Sequence, residues 1–182
     1  IHGNVKVLLQ DKPSFESDPL LSAQRFKRLD YQYDLVSGNV HRVDFQTGKV
    51  DEWHHAYHYD ADNRITAVFT TGKTPLADPL YGMRSVQQEP EQSPFWKKDA
   101  AYFYYKHGPL ARVETGHEKV QGTDYVYTVQ GWIKGVNANT LDETKDPGKD
   151  ATGYRPLVAK DVFSYSLHYN NFDYKAIAAG AG

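Results

Sequence analysis

The chain has no cysteine and one methionine in 182 residues. The first absence excludes disulfides, thiolate metal sites and a cysteine nucleophile, and it leaves the compartment undetermined. No run of about 18 apolar residues exists, so no membrane-spanning helix is expected. Charge of one sign is missing too. Lys and Arg number 21 against 23 Asp and Glu, a formal net charge of -2, and no basic block stands out. That argues against nucleic acid or an anionic membrane as the main partner. Sustained 3.6-residue periodicity is absent, apart from a candidate short turn at residues 18–28. The first residues, Ile1-His2-Gly3-Asn4, are neither an initiator methionine nor a signal peptide, so the chain is expected to begin inside a longer polypeptide.

What the chain does have is tyrosine. Hydrophobic residues at 40% and charged residues at 24% fall in the globular range, and aromatics reach 14%, with 14 tyrosines. Tyrosine fits a pleated, half-buried surface, which favours β-structure. A Tyr-x-Tyr pair followed by a turn and an apolar-alternating segment occurs four times. The units are Tyr31-Gln32-Tyr33-Asp34 before Gly38-Asn39-Val40 and Val43, and Tyr57-His58-Tyr59-Asp60 before Asn63-Arg64-Ile65 and Val68. Then come Tyr102-Phe103-Tyr104-Tyr105 before Gly108 and Leu110, and Tyr125-Val126-Tyr127-Thr128 before Gly131-Trp132-Ile133 and Val136.

Tyrosines two apart share one strand face. Asp caps the backbone ahead of it, and Gly or Asn accepts the positive φ a tight turn demands. Each unit therefore reads as a β-hairpin, and neighbouring hairpins would place tyrosines beside one another across strands. The spacing is uneven because of an insertion at 72–98, with Pro75, Pro79, Pro90 and Pro94, and a second loop at 137–155 around Asp146-Pro147-Gly148. Both read as exposed loops, and a further strand is expected at 162–169. Residues 1–10 look like the second half of a unit, since Gly3-Asn4-Val5 repeats Gly38-Asn39-Val40. A hairpin short of one strand leaves an open edge, and open edges seek partners.

These residues resemble RHS/YD-repeat proteins, whose pattern is Tyr-Asp-x-x-Gly-Arg-Leu, or Tyr-Asp-x-x-Gly-Asn, with an upstream tyrosine. Tyr59-Asp60-Ala61-Asp62-Asn63-Arg64-Ile65 is the nearest match, and Tyr33-Asp34 with Gly38-Asn39-Val40 has one extra turn residue. Residues 102–114 and 124–137 look like a subgroup in secreted bacterial polypeptides. The resemblance covers residue 1 to about residue 174. It implies an all-β chain of consecutive antiparallel hairpins forming a curved sheet, a partial strip of a hollow shell, with 1–182 as a single segment. It further implies a secreted or bacterial cell-surface, non-enzymatic, structural role, in some family members around an enclosed toxin. The expected partner is the remainder of the same polypeptide, or another protein chain, covering the sheet edges. The family's self-cleaving Asp-Pro-x-Gly site is not carried over. Asp78-Pro79-Leu80-Tyr81-Gly82 has one residue too many, and Asp146-Pro147-Gly148 lacks the surroundings.

His54 and His58 on a strand lie roughly 13 Å apart, too far to chelate one ion, and solvent-facing histidines are the simpler reading. Asp60-Ala61-Asp62-Asn63 lacks the Gly and terminal Glu of a calcium loop and reads as a turn. Asp51-Glu52 reads as a hairpin tip, and no nucleophile elbow or phosphate-cradling loop is present. Trp96 and Trp132 would suit a sugar platform, but packing of the sheet is the expectation. No metal, cofactor or catalytic residue is expected. A module binding glycan or protein through its two loops is the alternative function.

Overall fold

A computed structural model describes residues 3–72, 94–137 and 145–169. It is all-β and antiparallel, with ten strands following one another in chain order. They are β1 (Val7–Asp11), β2 (Phe26–Tyr33), β3 (Val40–Phe45), β4 (Trp53–Tyr59), β5 (Ile65–Thr71), β6 (Lys97–Tyr104), β7 (Leu110–Thr115), β8 (Gln121–Tyr127), β9 (Ile133–Val136) and β10 (Tyr165–Ser166). The chain divides into two compact units, Ile1–Ala101 and Tyr102–Gly182. No helix among the described residues is long and apolar enough to cross a membrane.

The tyrosine turns form as their residues dictate. After β2, Asp34 Oδ1 accepts the amides of Val36 and Ser37, and Gly38 closes the turn at φ 75°. After β4, Asp60 Oδ1 accepts the amides of Asp62 and Arg64, and Asn63 takes φ 61°. After β8, Thr128 Oγ1 accepts the amide of Trp132, and Gly131 takes φ 86°. In all three hairpins the register shifts at the second tyrosine of the pair, at Tyr33, Tyr59 and Tyr127. A turn ending in a left-handed residue followed by a bulge is the usual three-residue-type hairpin solution, and it explains why Gly or Asn must stand there.

Within the first unit, Ala56, Ala67, Phe69 and Trp96 make the core. Trp96 therefore packs as expected, while β6 already begins at Lys97, so the insertion ends earlier than residue 98. Residues 73–93, with Pro75, Pro79, Pro90 and the Asp78–Gly82 stretch, lie outside the described residues, as do 1–2, 138–144 and 170–182. The candidate turn at 18–28 is shorter than expected. Ser22–Gln24 form one 3-10 turn, and Phe26 already starts β2. The strand expected at 162–169 contracts to Tyr165–Ser166, which pair with Val136 and Gly135.

The valines in the alternating stretch 39–43 do not mark its buried face. Instead Arg42 and Asp44 are buried and Val43 is only half-buried. The same holds on β7, where Arg112 and Glu114 are buried around a half-buried Val113. The period of two was right, but charged side chains occupy the buried face. On β5 the equivalent positions are Ala67 and Phe69, which are apolar and buried.

Candidate functional site

Two buried charge clusters grow from this arrangement, one in each unit. In the first, Asp44 is the hub. Arg42 Nε donates to its Oδ1 at 2.8 Å, and Gln32 Nε2 donates to its Oδ2 at 2.8 Å. His54 stands directly opposite Asp44 in the β3–β4 register, and its Nδ1 lies 2.6 Å from Oδ1. A carboxylate only accepts, so this contact places the proton on Nδ1. Burial alone would push the Asp44 carboxyl up, but the His54 bond and the Arg42 charge outweigh it, and its pKa is lowered. Arg42 also lies over the Trp96 ring, 5.5 Å from its centroid. One acid thus serves three donors.

The second cluster reverses that ratio. Arg112, 3% exposed, is the one buried base among three acids, with Arg155 and Lys119 reaching Glu114 from the more exposed side. Its Nε donates to Glu114 Oε1 at 3.1 Å, Nη1 to Asp124, and Nη2 to Asp150 Oδ1 at 2.5 Å. Asp124 faces Arg112 in the β7–β8 register, and Glu114 faces Gly122. Asp150 arrives from the loop after β9 and is 1% exposed. Gly122 and Gly148 flank the guanidinium so closely that a Cβ at either would collide with it. Their lack of a side chain is what lets a planar cation slot between β8 and the loop.

The loop is shaped for this. Asp146 Oδ1 accepts the Gly148 amide at 2.9 Å and its Oδ2 accepts the Asp150 amide at 2.7 Å. Arg155 Nη1 donates to Gly148 O at 2.6 Å, and Arg155 Nε lies 3.3 Å from Glu114 Oε1. Asn137, buried at the end of β9, bonds Asp124 in both directions through its own amide and its side-chain oxygen. The stretch expected to be an exposed loop at 137–155 therefore turns Asn137, Gly148 and Asp150 inwards.

The acid surplus shows in the pKa values. Burial raises Asp124 to about 6, opposed by Arg112 and aided by Asp150 and Asp146. Asp150 is raised by burial against the pull of Arg112. Asp161 is raised to about 7 by burial and then by the charges of Asp146, Asp150 and Asp124. Asp146, Asp150 and Asp161 each offer a carboxylate oxygen, all within 4.8 Å of one another.

The residues singled out by the repeat go elsewhere. Their tyrosines act through hydroxyls that reach a neighbouring backbone carbonyl. Tyr33 donates to Val5 O at 2.8 Å, just ahead of β1, and Tyr59 to Val40 O at 2.7 Å on β3. In the third repeat Tyr105, standing where the first two carry Asp and the fourth Thr, donates to Tyr125 O at 2.8 Å. Tyr31 stacks beside Tyr33 at 6.4 Å, and Arg64 folds back on Asp60. The histidines do not assemble. His54 is fully buried on Asp44, against the solvent-facing expectation, and His58 packs on Phe69 at 4.8 Å. Trp132 departs most. It was expected to pack the sheet, yet it is 56% exposed and lies beside Tyr169, ring centroids 5.1 Å apart.

The buried clusters were missed from the sequence. A signal was present, because Arg42-Val43-Asp44 and Arg112-Val113-Glu114 recur at the same place after the turn. The chain matches no protein-family model and none of the curated proteins.

Proposed function

We propose that the chain is a non-catalytic structural segment of an RHS/YD-repeat-type shell in a secreted or cell-surface protein. The observation that carries the reading is the repeated joint. At Tyr33-Asp34, Tyr59-Asp60 and Tyr127-Thr128 a bulge follows a turn that ends in a left-handed residue, Gly38, Asn63 and Gly131 in that order. Tyr33, Tyr59 and Tyr105 then tie their hydroxyls to carbonyls outside their own turns. Chemistry repeated from hairpin to hairpin is a means of joining hairpins, whereas a catalytic set is assembled once. The charge clusters support the same reading, because Arg112, Glu114, Asp124 and Asp150 are sealed from any substrate.

The partner follows from β1. Every residue of this strand is exposed, including Val7, Leu8 and Leu9, and among the described residues its outer edge has no neighbour in the strand order. Natural sheets cover or charge such an edge. Further strands of the same polypeptide, or another protein chain, would cover it, and in a shell of this type the wall would enclose a toxin segment. No cofactor and no nucleic acid enter this reading. Light scattering on the isolated chain tests it. Concentration-dependent oligomers are expected, weakened by Leu8→Lys on the edge; a monodisperse wild-type chain would contradict it. Intact mass after long incubation should stay constant, and a truncated product would transfer the chain to the self-processing class.

Trp132 and Tyr169 support a second reading, adhesion. Two exposed, adjacent aromatic rings form a platform on which the apolar face of a sugar can stack. A glycan array with hits lost in Trp132→Ala would favour it; an empty array would remove it.

A further inference from the structure

We propose that Asp146, Asp150 and Asp161 hold a divalent cation, calcium by the nature of the donors, which ties residues 146–150 to Asp161 within the segment between β9 and β10. Three carboxylate oxygens mutually within 4.8 Å fit one coordination sphere, since Ca–O distances of about 2.3–2.6 Å set opposed ligands roughly 5 Å apart. A cluster of acids alone would not point to an ion. The second observation is that its oxygens are buried and unsatisfied. Both carboxylate oxygens of Asp161 are shut off from solvent and accept no hydrogen bond, and Asp150 Oδ2 is the same. The Asp150 side chain is 0% exposed, and its other oxygen is already held by Arg112.

A buried carboxylate without a partner is costly, and natural sites pair it, protonate it or ligate it. Pairing fails on numbers. Arg112 is divided among Glu114, Asp124 and Asp150, while Arg155 and Lys119 both lie against Glu114, and Arg155 also bonds a backbone carbonyl. Protonation answers poorly, because a proton on Asp161 would find no acceptor among groups that bond neither of its oxygens. Ligation answers both shortages at once, since two positive charges offset the acid excess and the idle lone pairs are used.

The donor set selects the ion. All three donors are carboxylate oxygens, and the chain has no cysteine. Oxygen-only sites suit hard cations, and a site that offers three carboxylates at once suits calcium better than magnesium, which keeps several waters and takes one or two carboxylates. The sequence Asp146-Pro147-Gly148-Lys149-Asp150 spaces its acids four apart, and the Asp146 side chain bonds the Gly148 and Asp150 amides, which fixes the loop before any ion arrives. With three protein donors and water completing the sphere, affinity on the order of 10⁻⁴–10⁻³ M is expected, as in extracellular calcium modules.

The test uses the full 182-residue chain, stripped with chelator and titrated with calcium chloride, then with magnesium chloride, by calorimetry and by thermal unfolding. One calcium per chain is expected, with Tm rising about 5 °C or more at a hundredfold excess over Kd. Asp161→Asn is the informative variant, because it removes a charge without removing a hydrogen bond. It should keep the wild-type circular dichroism, unfold no lower than the wild type in chelator, and lose the calcium response. Asp161→Ala gives an independent reading in case the amide is not accommodated. No heat and no shift with either salt up to a hundredfold excess over that Kd would overturn the proposal. So would an equal shift in Asp161→Asn, which would mark surface binding elsewhere.

Discussion

The Arg42 and Arg112 clusters are built from one sequence device and reach opposite electrostatic states. Each begins with Arg-Val-acid on the second strand of a hairpin, placing base and acid on the buried face. In the first unit Asp44 is one acid among Arg42, His54 and Gln32, and its pKa is lowered. In the second, Arg112 is the one buried base among Glu114, Asp124 and Asp150, and Asp124 and Asp150 are raised. The difference teaches that a strand pattern fixes which face a charge occupies, while elements far along the chain decide whether it is balanced. His54 comes from the next strand, but Asp150 comes from a loop.

The comparison is broken most severely at its hubs. Arg112→Met leaves three buried carboxylates without their shared cation and should cost about 3–5 kcal/mol in urea denaturation. Arg42→Met should cost clearly less, because Asp44 keeps His54 and Gln32. Equal losses would show that the acid excess has no energetic meaning. Gly148→Ala comes next. Its Cβ would strike Arg112 and Asp124, for an expected cost of about 1–3 kcal/mol. Gly153→Ala, with open space around it, is the control, and its stability should stay within about 0.5 kcal/mol of wild type.

Acid separates the units by sign. Asp124 has a folded value of about 6, above its ordinary 3.8, so ionising it penalises the folded state at neutral pH. That penalty is relieved as pH falls from about 6 towards 3.8. Asp161, at about 7, moves the same way from a higher pH. Asp44 is depressed, so its contribution persists above 3.8 and is lost only as pH falls through its lower folded value. In chelator, acidifying from about pH 7.5 to 5 should therefore stabilise the second unit by about 1–2 kcal/mol and weaken the first, where burial lowers His41 and His55 and protonating them favours the unfolded chain. Unit-resolved hydrogen exchange would register it, and a loss of protection in the second unit over that range would contradict it. The smallest effect is expected at the joint. Tyr59→Phe removes one hydroxyl from Val40 O and should cost about 0.5–1.5 kcal/mol by thermal denaturation.

The turns were legible in the sequence because their chemistry is local. Asp60 caps amides two and four residues on, and Asn63 needs a positive φ, so both roles fit within five residues. The clusters were not legible, although the Arg-Val-acid repeat hinted at them. Val is the more apolar residue, and periodicity alone assigns it inwards. What placed Arg112 inside was Asp150, 38 residues further on, with Gly122 and Gly148 clearing the space. Trp132 misled for a related reason. An aromatic after a turn is ordinarily packed, but here its neighbour is Tyr169, and both rings stay exposed.

The claim on which the rest depends is that these charges are sealed structural joints and not reactive groups open to substrate. Nitrogen-15 spectra of the arginine side chains test it directly at neutral pH. Arg42 and Arg112 should each give a slowly exchanging Nε–H resonance, held by Asp44 and Glu114, and the exposed Arg28 should not. Rapid exchange at both buried arginines would mean that water enters the clusters, and the structural account would fail.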